Sequence, residues 1–341
     1  MSDTGYGIAA YNIYKELIKQ GVRVALQPKG NYAAEKKTII QEGIDNLKSF
    51  NFKAPCLQIW HQYSLETSIG RGKYSGFPFF ELDRLEKHEA HNIRYPDQLF
   101  VASEWAKTIA EQYRPQDVFV VPLGIDPSIF LPAKPVEKRN YVFLNVGKWE
   151  IRKGHDVLVD IFNKAFSPSD NVELWMLPAN VYFTEHEHGR WSNKYLQSPM
   201  GAAGKIKIWP WQKTTKNVVD LINHADCGIF PARAEGWNLE LLEMICLGKP
   251  VITTNYSAHT QFCNDKNAFL VPYRKSEKAY DGKWFYGQGS WMYISKTEIE
   301  MFVEYMRKCY QEKILINQEG LDVTRQQYTW ENTTKRLLEL L

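Results

Sequence analysis

At 341 residues the chain is long for one hydrophobic core and about right for two α/β domains. Its 44% hydrophobic and 24% charged residues are those of a soluble globular protein, and a net charge of +3 is too small to argue for nucleic acid or an anionic membrane. Five scattered cysteines without a C-x-x-C pair, no apolar run of membrane-spanning length and no signal-peptide core lead us to expect a cytoplasmic protein with at most peripheral membrane contact.

In chain order, Asp3-Thr-Gly-Tyr-Gly7 reads as a glycine-rich turn feeding a helix through Ile8, Tyr11, Tyr14, Leu17 and Ile18, with a strand at Val22–Leu26. Such turns normally follow a strand, and only four residues precede Gly5. A first strand is therefore expected to be missing or replaced. Glu35–Phe50 patterns as an amphipathic helix and Cys56–Trp60 as a buried strand ending at His61. An irregular Gly-containing stretch, Gly70–Gly76, comes next. Arg84–Asn92 is read as a helix, Gln98–Ala102 as a strand, Glu104–Gln112 as a helix and Val118–Val121 as a strand. The Pro- and charge-rich segment 132–140 is read as the domain boundary.

The second half restarts the alternation, with strands at Tyr141–Val146, Val172–Leu177 and Ile206–Trp209, and helices at His155–Phe166 and Thr215–His224. Strands alternating with helices imply parallel sheets, so two Rossmann-like domains are expected, over 1–131 and 132–324. The polar, aromatic-rich stretches 179–205 and 273–293 read as insertions or long loops. Lys296–Lys313 reads as a long helix, and an amphipathic helix capped by Thr329 closes the chain.

The densest chemistry lies in Glu235-Gly-Trp-Asn-Leu-Glu-Leu-Leu-Glu243. A strand at Cys227–Ala232 precedes it, and Gly248-Lys-Pro stops its helix before a further strand at Val251–Thr253. The helix N-terminus between the two acids offers free N–H groups and a positive dipole end, which suits a phosphate. Lys148 and Lys153 flank an earlier turn after a strand, and their spacing alone favours a solvated basic loop. His61 stands where open α/β sheets place ligand groups, although a structural histidine fits that description equally well. Trp209-Pro-Trp211 fits either a nucleobase pocket or core. His186-Glu-His188 reads as a solvated loop rather than a metal site, and the chain contains no D-x-D.

Four segments in order resemble the retaining glycosyltransferases of family 4, which have the GT-B fold. Val121-Pro-Leu-Gly-Ile-Asp126 followed by Phe130 resembles the family's V-P-N-G-V-D…F element. Asn145-Val-Gly-Lys148 with Arg152-Lys153-Gly154 resembles its V-G-R…K-G phosphate loop. Glu235–Glu243 resembles its E-x7-E element, and Trp330-Glu331 its returning final helix. Lys148 replaces an Arg, Asn238 a Gly, and Gln261 stands where a Glu often follows.

The resemblance implies two Rossmann-like domains facing each other across a cleft, with the helix over 325–341 packing back on the first. It implies a nucleotide-diphospho-sugar donor, a hydroxyl acceptor on a glycan or lipid, and no metal or other cofactor. It gives catalytic roles to Glu235, Lys153, Lys148 and His61. Donor contacts fall to Gly5, Gly7, Gly147, Gly236, Trp237, Asn238, Leu239 and Glu243, with Glu243 accepting from ribose hydroxyls. Two other readings remain: a different GT-B enzyme such as an epimerase or phosphorylase, and a non-catalytic sugar-nucleotide-binding protein.

Overall fold

In the computed structural model the described residues are 5–29, 37–134 and 138–341. Asp3, Thr4, Glu35 and the centre of the expected boundary segment lie outside them. The chain divides into two compact units, one running to Gly124 and taking in Gln327–Leu341, the other Ile125–Gln326.

The first unit begins with α1 (Gly5–Lys19) and α2 (Lys37–Asn46), followed by the short strands β1 (Cys56–Gln58) and β2 (Tyr74–Gly76). Next come α3 (Lys87–Asn92), β3 (Gln98–Val101), α4 (Glu104–Glu111) and β4 (Val118–Val120). The strands form a parallel sheet in chain order, β1-β2-β3-β4. Leu99, Val101, Ile109 and Ala110 build its core with Phe80 and Ile93. Helix starts follow capping chemistry. Ser103 accepts from the Ala106 N–H to open α4, and Glu86 forms a capping box with Glu89 at α3.

The strands of this unit depart from expectation at Val22–Leu26 and Gly70–Gly76. Val22–Leu26 is extended but belongs to no ladder among the described residues, because α2 supplies its partners. Leu26 donates to the Gly43 carbonyl, and the Asn46 amide donates to Val24. The stretch Gly70–Gly76, expected to be irregular, supplies β2, its buried residues covering β1 on one side and β3 on the other.

The second unit contains β5 (Tyr141–Val146), α5 (His155–Ala165), β6 (Val172–Leu177), α6 (Glu185–Leu196), α7 (Pro199–Ala202), β7 (Ile206–Ile208), α8 (Thr215–His224) and β8 (Cys227–Phe230). It continues through α9 (Leu239–Cys246), β9 (Val251–Asn255), β10 (Phe269–Pro272), β11 (Ser276–Tyr280), β12 (Tyr286–Met292), α10 (Lys296–Gln311) and α11 (Gln318–Gln327). Six strands form a parallel sheet ordered β10-β9-β8-β5-β6-β7, the doubly wound order with its reversal between β5 and β8. Fully buried Phe143, Leu144, Leu174, Ile229, Leu242, Ile245 and Ile252 make its core, each such side chain contributing roughly 1.5–3 kcal/mol.

The two stretches expected to be loops are ordered. Residues 179–205 hold α6 and α7, because Thr184 and Glu187 form a capping box that starts a helix in polar sequence. His186 and His188 are therefore helical, and the His188 Nε2 lies 2.9 Å from the Asn180 carbonyl. Residues 273–293 hold the antiparallel hairpin β11–β12.

The last helix, α12 (Trp330–Leu340), belongs to the first unit and packs beside α1. Thr329 caps it by accepting from the Asn332 N–H. Gly124 explains one motif position, since a Cβ there would overlap the Thr329 carbonyl group and the Trp330 nitrogen. No helix of the described residues is long and apolar enough to cross a membrane.

Candidate functional site

In a doubly wound sheet the loops leaving the carboxyl ends of the two strands at the reversal part in opposite directions and open a crevice. Here those strands are β5 and β8, and the loops after them are 147–154 and 231–238. Asn145 ties the two strand ends together. Its amide donates to the Ile229 carbonyl at 2.7 Å, while its Oδ1 lies 2.8 Å from His155 Nε2. His155 Nδ1 accepts from the Glu150 N–H at 3.0 Å, so the imidazole is neutral with its proton on Nε2. Burial and the nearby Lys153 pull its pKa down to about 3.

Gly154 closes the first loop at φ +75°, and an added Cβ would collide with the Pro231 carbonyl. Only glycine lets the start of α5 come that close to the second loop. The result is a chain of alternating charges. Lys148 lies 2.8 Å from Glu150, Glu150 2.7 Å from Arg152, Arg152 2.6 Å from Glu235, and Glu235 2.9 Å from Lys153. Lys153 also lies 3.7 Å from Glu240.

Apart from Lys148 and Glu240 these side chains are almost entirely buried. Burial alone would raise the Glu235 carboxyl, but Arg152 and Lys153 override it and hold Glu235 far below the usual carboxylate range. In Lys153, burial acts downward and Glu235 with Glu240 acts upward, leaving a raised ammonium.

The second loop ends at Asn238, which adopts a left-handed conformation (φ 81°) and caps α9 by accepting from the Leu241 N–H. Its amide nitrogen lies 2.9 Å from His259 Nε2, and His259 Nδ1 lies 3.1 Å from the Thr254 carbonyl. His259 is thus neutral as well, burial lowering its pKa to about 4. Ser257 accepts from the Glu235 N–H at 2.8 Å. Trp237 is buried against Phe262, at 5.0 Å between ring centroids. Glu243 lies one turn into α9, partly exposed; the protein around its carboxyl, with Glu240 adding repulsion, raises it well above the carboxylate range.

Beside the first loop is a cavity of about 380 Å³ whose walls include Trp149, Asn180, His188, Trp209 and Trp211. Trp149 stacks on Trp191 of α6 at 5.5 Å, and the Asn180 amide donates to the Trp149 carbonyl, so the 179–205 segment braces the loop. The Trp209 Nε1 is buried without a partner among the described residues.

Of the residues expected from sequence, Lys148, Lys153, Gly147, Glu235, Gly236, Trp237, Asn238, Leu239 and Glu243 all lie on these two loops and α9. Gly5, Gly7 and His61 belong to the first unit. Gly5 and Gly7 lie within the first turns of α1 rather than in a turn ahead of it. His61 follows β1, which is shorter and less buried than expected, and its ring stacks on Tyr63 at 5.1 Å and lies 4.3 Å from Tyr6. The sequence reading gave no role to Glu150, His155, Ser257 or His259, and took Arg152 only as part of a motif. The sole sequence signal for Arg152 was its place in Arg152-Lys153-Gly154.

Residues 140–282 match the family profile described as "Glycosyl transferases group 1". That match lies within the second unit and covers less than half of the chain. The chain is 20% identical over 216 residues to "Putative glycosyltransferase 45" of Sulfolobus islandicus filamentous virus (isolate Iceland/Hveragerdi). That match takes in 61% of this chain and 56% of the viral protein, so it spans little more than half of that relative. Among solved structures, sucrose-phosphate synthase from Thermosynechococcus elongatus superposes with a TM-score of 0.71 at 12% identity, covering 99% of this chain and 92% of that one. Anabaena Alr3699/HepE in complex with UDP and glucose gives 0.68 at 12% identity over 99% and 96%. The lipopolysaccharide outer core galactosyltransferase WaaB gives 0.64 at 16% identity over 99% and 95%. The fold is that of the GT-B glycosyltransferases. The lysine loop and the start of the Glu235–Glu243 segment are the loops at the strand-order reversal.

Proposed function

We propose that the chain is a retaining, metal-independent glycosyltransferase that moves a sugar from a nucleotide-diphospho-sugar to a hydroxyl of a glycan or lipid acceptor. The observation that carries this reading is the convergence of Lys148, Lys153, Glu235 and the N-terminus of α9 at the β5/β8 reversal, beside an aromatic cavity roomy enough for a nucleobase. The Anabaena neighbour solved with UDP-glucose supports a donor of that class.

In this reading the diphosphate lies on Lys148, Lys153 and the first amides of α9, with Gly147, Gly236, Asn238 and Leu239 shaping the backbone it meets. Trp149, Trp209 and Trp211 take the base, Glu243 the ribose and Glu235 the sugar hydroxyls. The acceptor hydroxyl forms its bond to the anomeric carbon on the face from which the diphosphate departs. As the carbon–phosphate-oxygen bond breaks, a departing phosphate oxygen takes the acceptor's proton. The lysines and helix amides stabilise the charge that develops on the diphosphate, so no metal is required. In the first unit, His61 takes a catalytic role, and Gly5 and Gly7 take donor contacts. The reaction is cytoplasmic, consistent with five free thiols.

The buried Arg152 governs how this is tested. Glu235→Ala would strand its guanidinium, so Glu235→Gln and Lys153→Met are the cleaner variants. A nucleoside diphosphate at 100 times its Kd is expected to stabilise the wild-type chain by about 2.7 kcal/mol. Lys153→Met is expected to lose that stabilisation, and both variants to lose transfer. NMR of the product is expected to show the donor's anomeric configuration, with turnover unchanged by EDTA. An inverted product, or wild-type turnover in Lys153→Met, rejects the reading.

A further inference from the structure

The two stretches that interrupt the strand–helix alternation meet each other in the second unit. Lys283, at the tip of the β11–β12 hairpin, lies 2.5 Å from Glu187 of α6 and 3.3 Å from the Tyr182 carbonyl. It also sits 4.4 Å above the Phe183 ring. Trp284 meets Tyr182 edge-on at 5.7 Å, and Tyr280 meets Tyr286 across the hairpin at 6.3 Å.

All four of these rings face water, with Tyr182 at 54% exposure, Tyr280 at 63%, Trp284 at 44% and Tyr286 at 65%. The turn that carries Trp284 and leads into Tyr286 is nonetheless fixed. Asp281 accepts from the N–H groups of Lys283, Trp284 and Phe285, and the Gln288 amide donates to the Trp284 carbonyl. Beneath, Trp291 is buried and donates to Glu277, which also binds Arg233 of the loop after β8. At the inner edge, the Lys148 ammonium lies 5.7 Å from the Tyr182 ring centre, so this surface is continuous with the candidate donor site.

A rigid, exposed aromatic surface marks an interaction site rather than unfinished core. Its rings have electron-rich faces and polar edges, a match for the C–H faces and flanking hydroxyls of a saccharide. Lys283, which lies over the Trp284 ring, is paired with Glu187. We propose that Tyr182, Tyr280, Trp284 and Tyr286 form a platform that holds the saccharide chain of the acceptor several units away from the transferred sugar. The proposal rests on the glycosyltransferase reading for its acceptor and on the ring geometry for its location.

The test uses the full chain on an array of neutral, acidic and lipid-linked oligosaccharides. The double variant Trp284→Ala, Tyr286→Ala carries its changes on exposed side chains, so it is expected to fold. It is expected to bind a saccharide retained by the wild-type chain at least tenfold more weakly, while its thermal shift with a nucleoside diphosphate stays unchanged. Absence of retention by the wild-type chain, or equal retention by the double variant, overturns the platform. Loss of the nucleoside-diphosphate shift in the wild-type chain counts instead against the donor site, and saccharide retention still judges the platform separately.

Discussion

The two parallel sheets differ in strand order, and the chemistry follows that difference. In the first unit β1 to β4 lie side by side in chain order among the described residues, so no neighbouring pair of loops diverges. Rings follow β1 instead: Trp60, His61 and Tyr63, with Tyr6 of α1, sit within 6.1 Å of one another in successive pairs. In the second unit the order reverses between β5 and β8, and the loops there carry three cations and three carboxylates in one connected network. A reversal gives a polar ligand a crevice to enter, and it also concentrates the groups whose burial is costly. The second unit should therefore be the more fragile of the two.

Acid should expose this most strongly. His155 and His259 are buried and neutral, with pKa values of about 3 and about 4 against about 6.5 in an unfolded chain. Their folded values are depressed, so the unfolded chain binds more protons as pH falls. The stability they preserve is complete above pH 6.5 and is lost below it. Each histidine removes up to about 1.4 kcal/mol per pH unit, or roughly 4 kcal/mol for the pair by pH 5. Glu235, depressed by its cations, adds a further loss only below about pH 4.5. Glu243, raised by burial, works in the opposite direction and offsets part of this loss, so a melting midpoint for the second unit that rises from pH 7 to pH 5 would contradict this account.

Gly154→Ala comes next in size. The left-handed backbone and the collision with the Pro231 carbonyl together are expected to cost about 3 kcal/mol. Calorimetry would register this as a drop of roughly 10 °C in the second unit's transition. Because the same contact sets the spacing of the two site loops, nucleotide binding should weaken along with stability. An unchanged midpoint with normal binding would mean that the loops do not depend on that close approach.

How much of this could be read from residues alone depended on where the information resides. Strands β5, β6 and β8 are apolar runs bounded by turn residues, and α8 has both a Thr cap and a helical apolar face, so their types were legible. Strand β2 was hidden because Tyr74-Ser-Gly76 has neither length nor a hydrophobic pattern; its strand character comes from lying between β1 and β3. Lys148, Lys153, Glu235 and Glu243 of the candidate site were legible through motif order. Their pairing was not, because Arg152 meets Glu235 across 83 residues of sequence and only the strand order brings them together. His259 shows the same limit, since it acts through Asn238 from beyond β9.

The smallest expected effect separates a glycine used by a ligand from one merely tolerated by a helix. Gly5 opens α1, and a Cβ built on it meets nothing within 4 Å. With no contact against it, Gly5→Ala should stabilise the first unit, by at most about 1 kcal/mol through helix propensity and a less disordered unfolded chain. If Gly5 serves donor binding through close backbone approach, the added methyl should raise KM for the donor severalfold while the midpoint rises. If it serves only the helix, the midpoint should rise and KM should stay level. Both outcomes leave α1 folded, so the KM alone decides whether Gly5 belongs with Gly147 in the donor site or with the scaffold of the first unit.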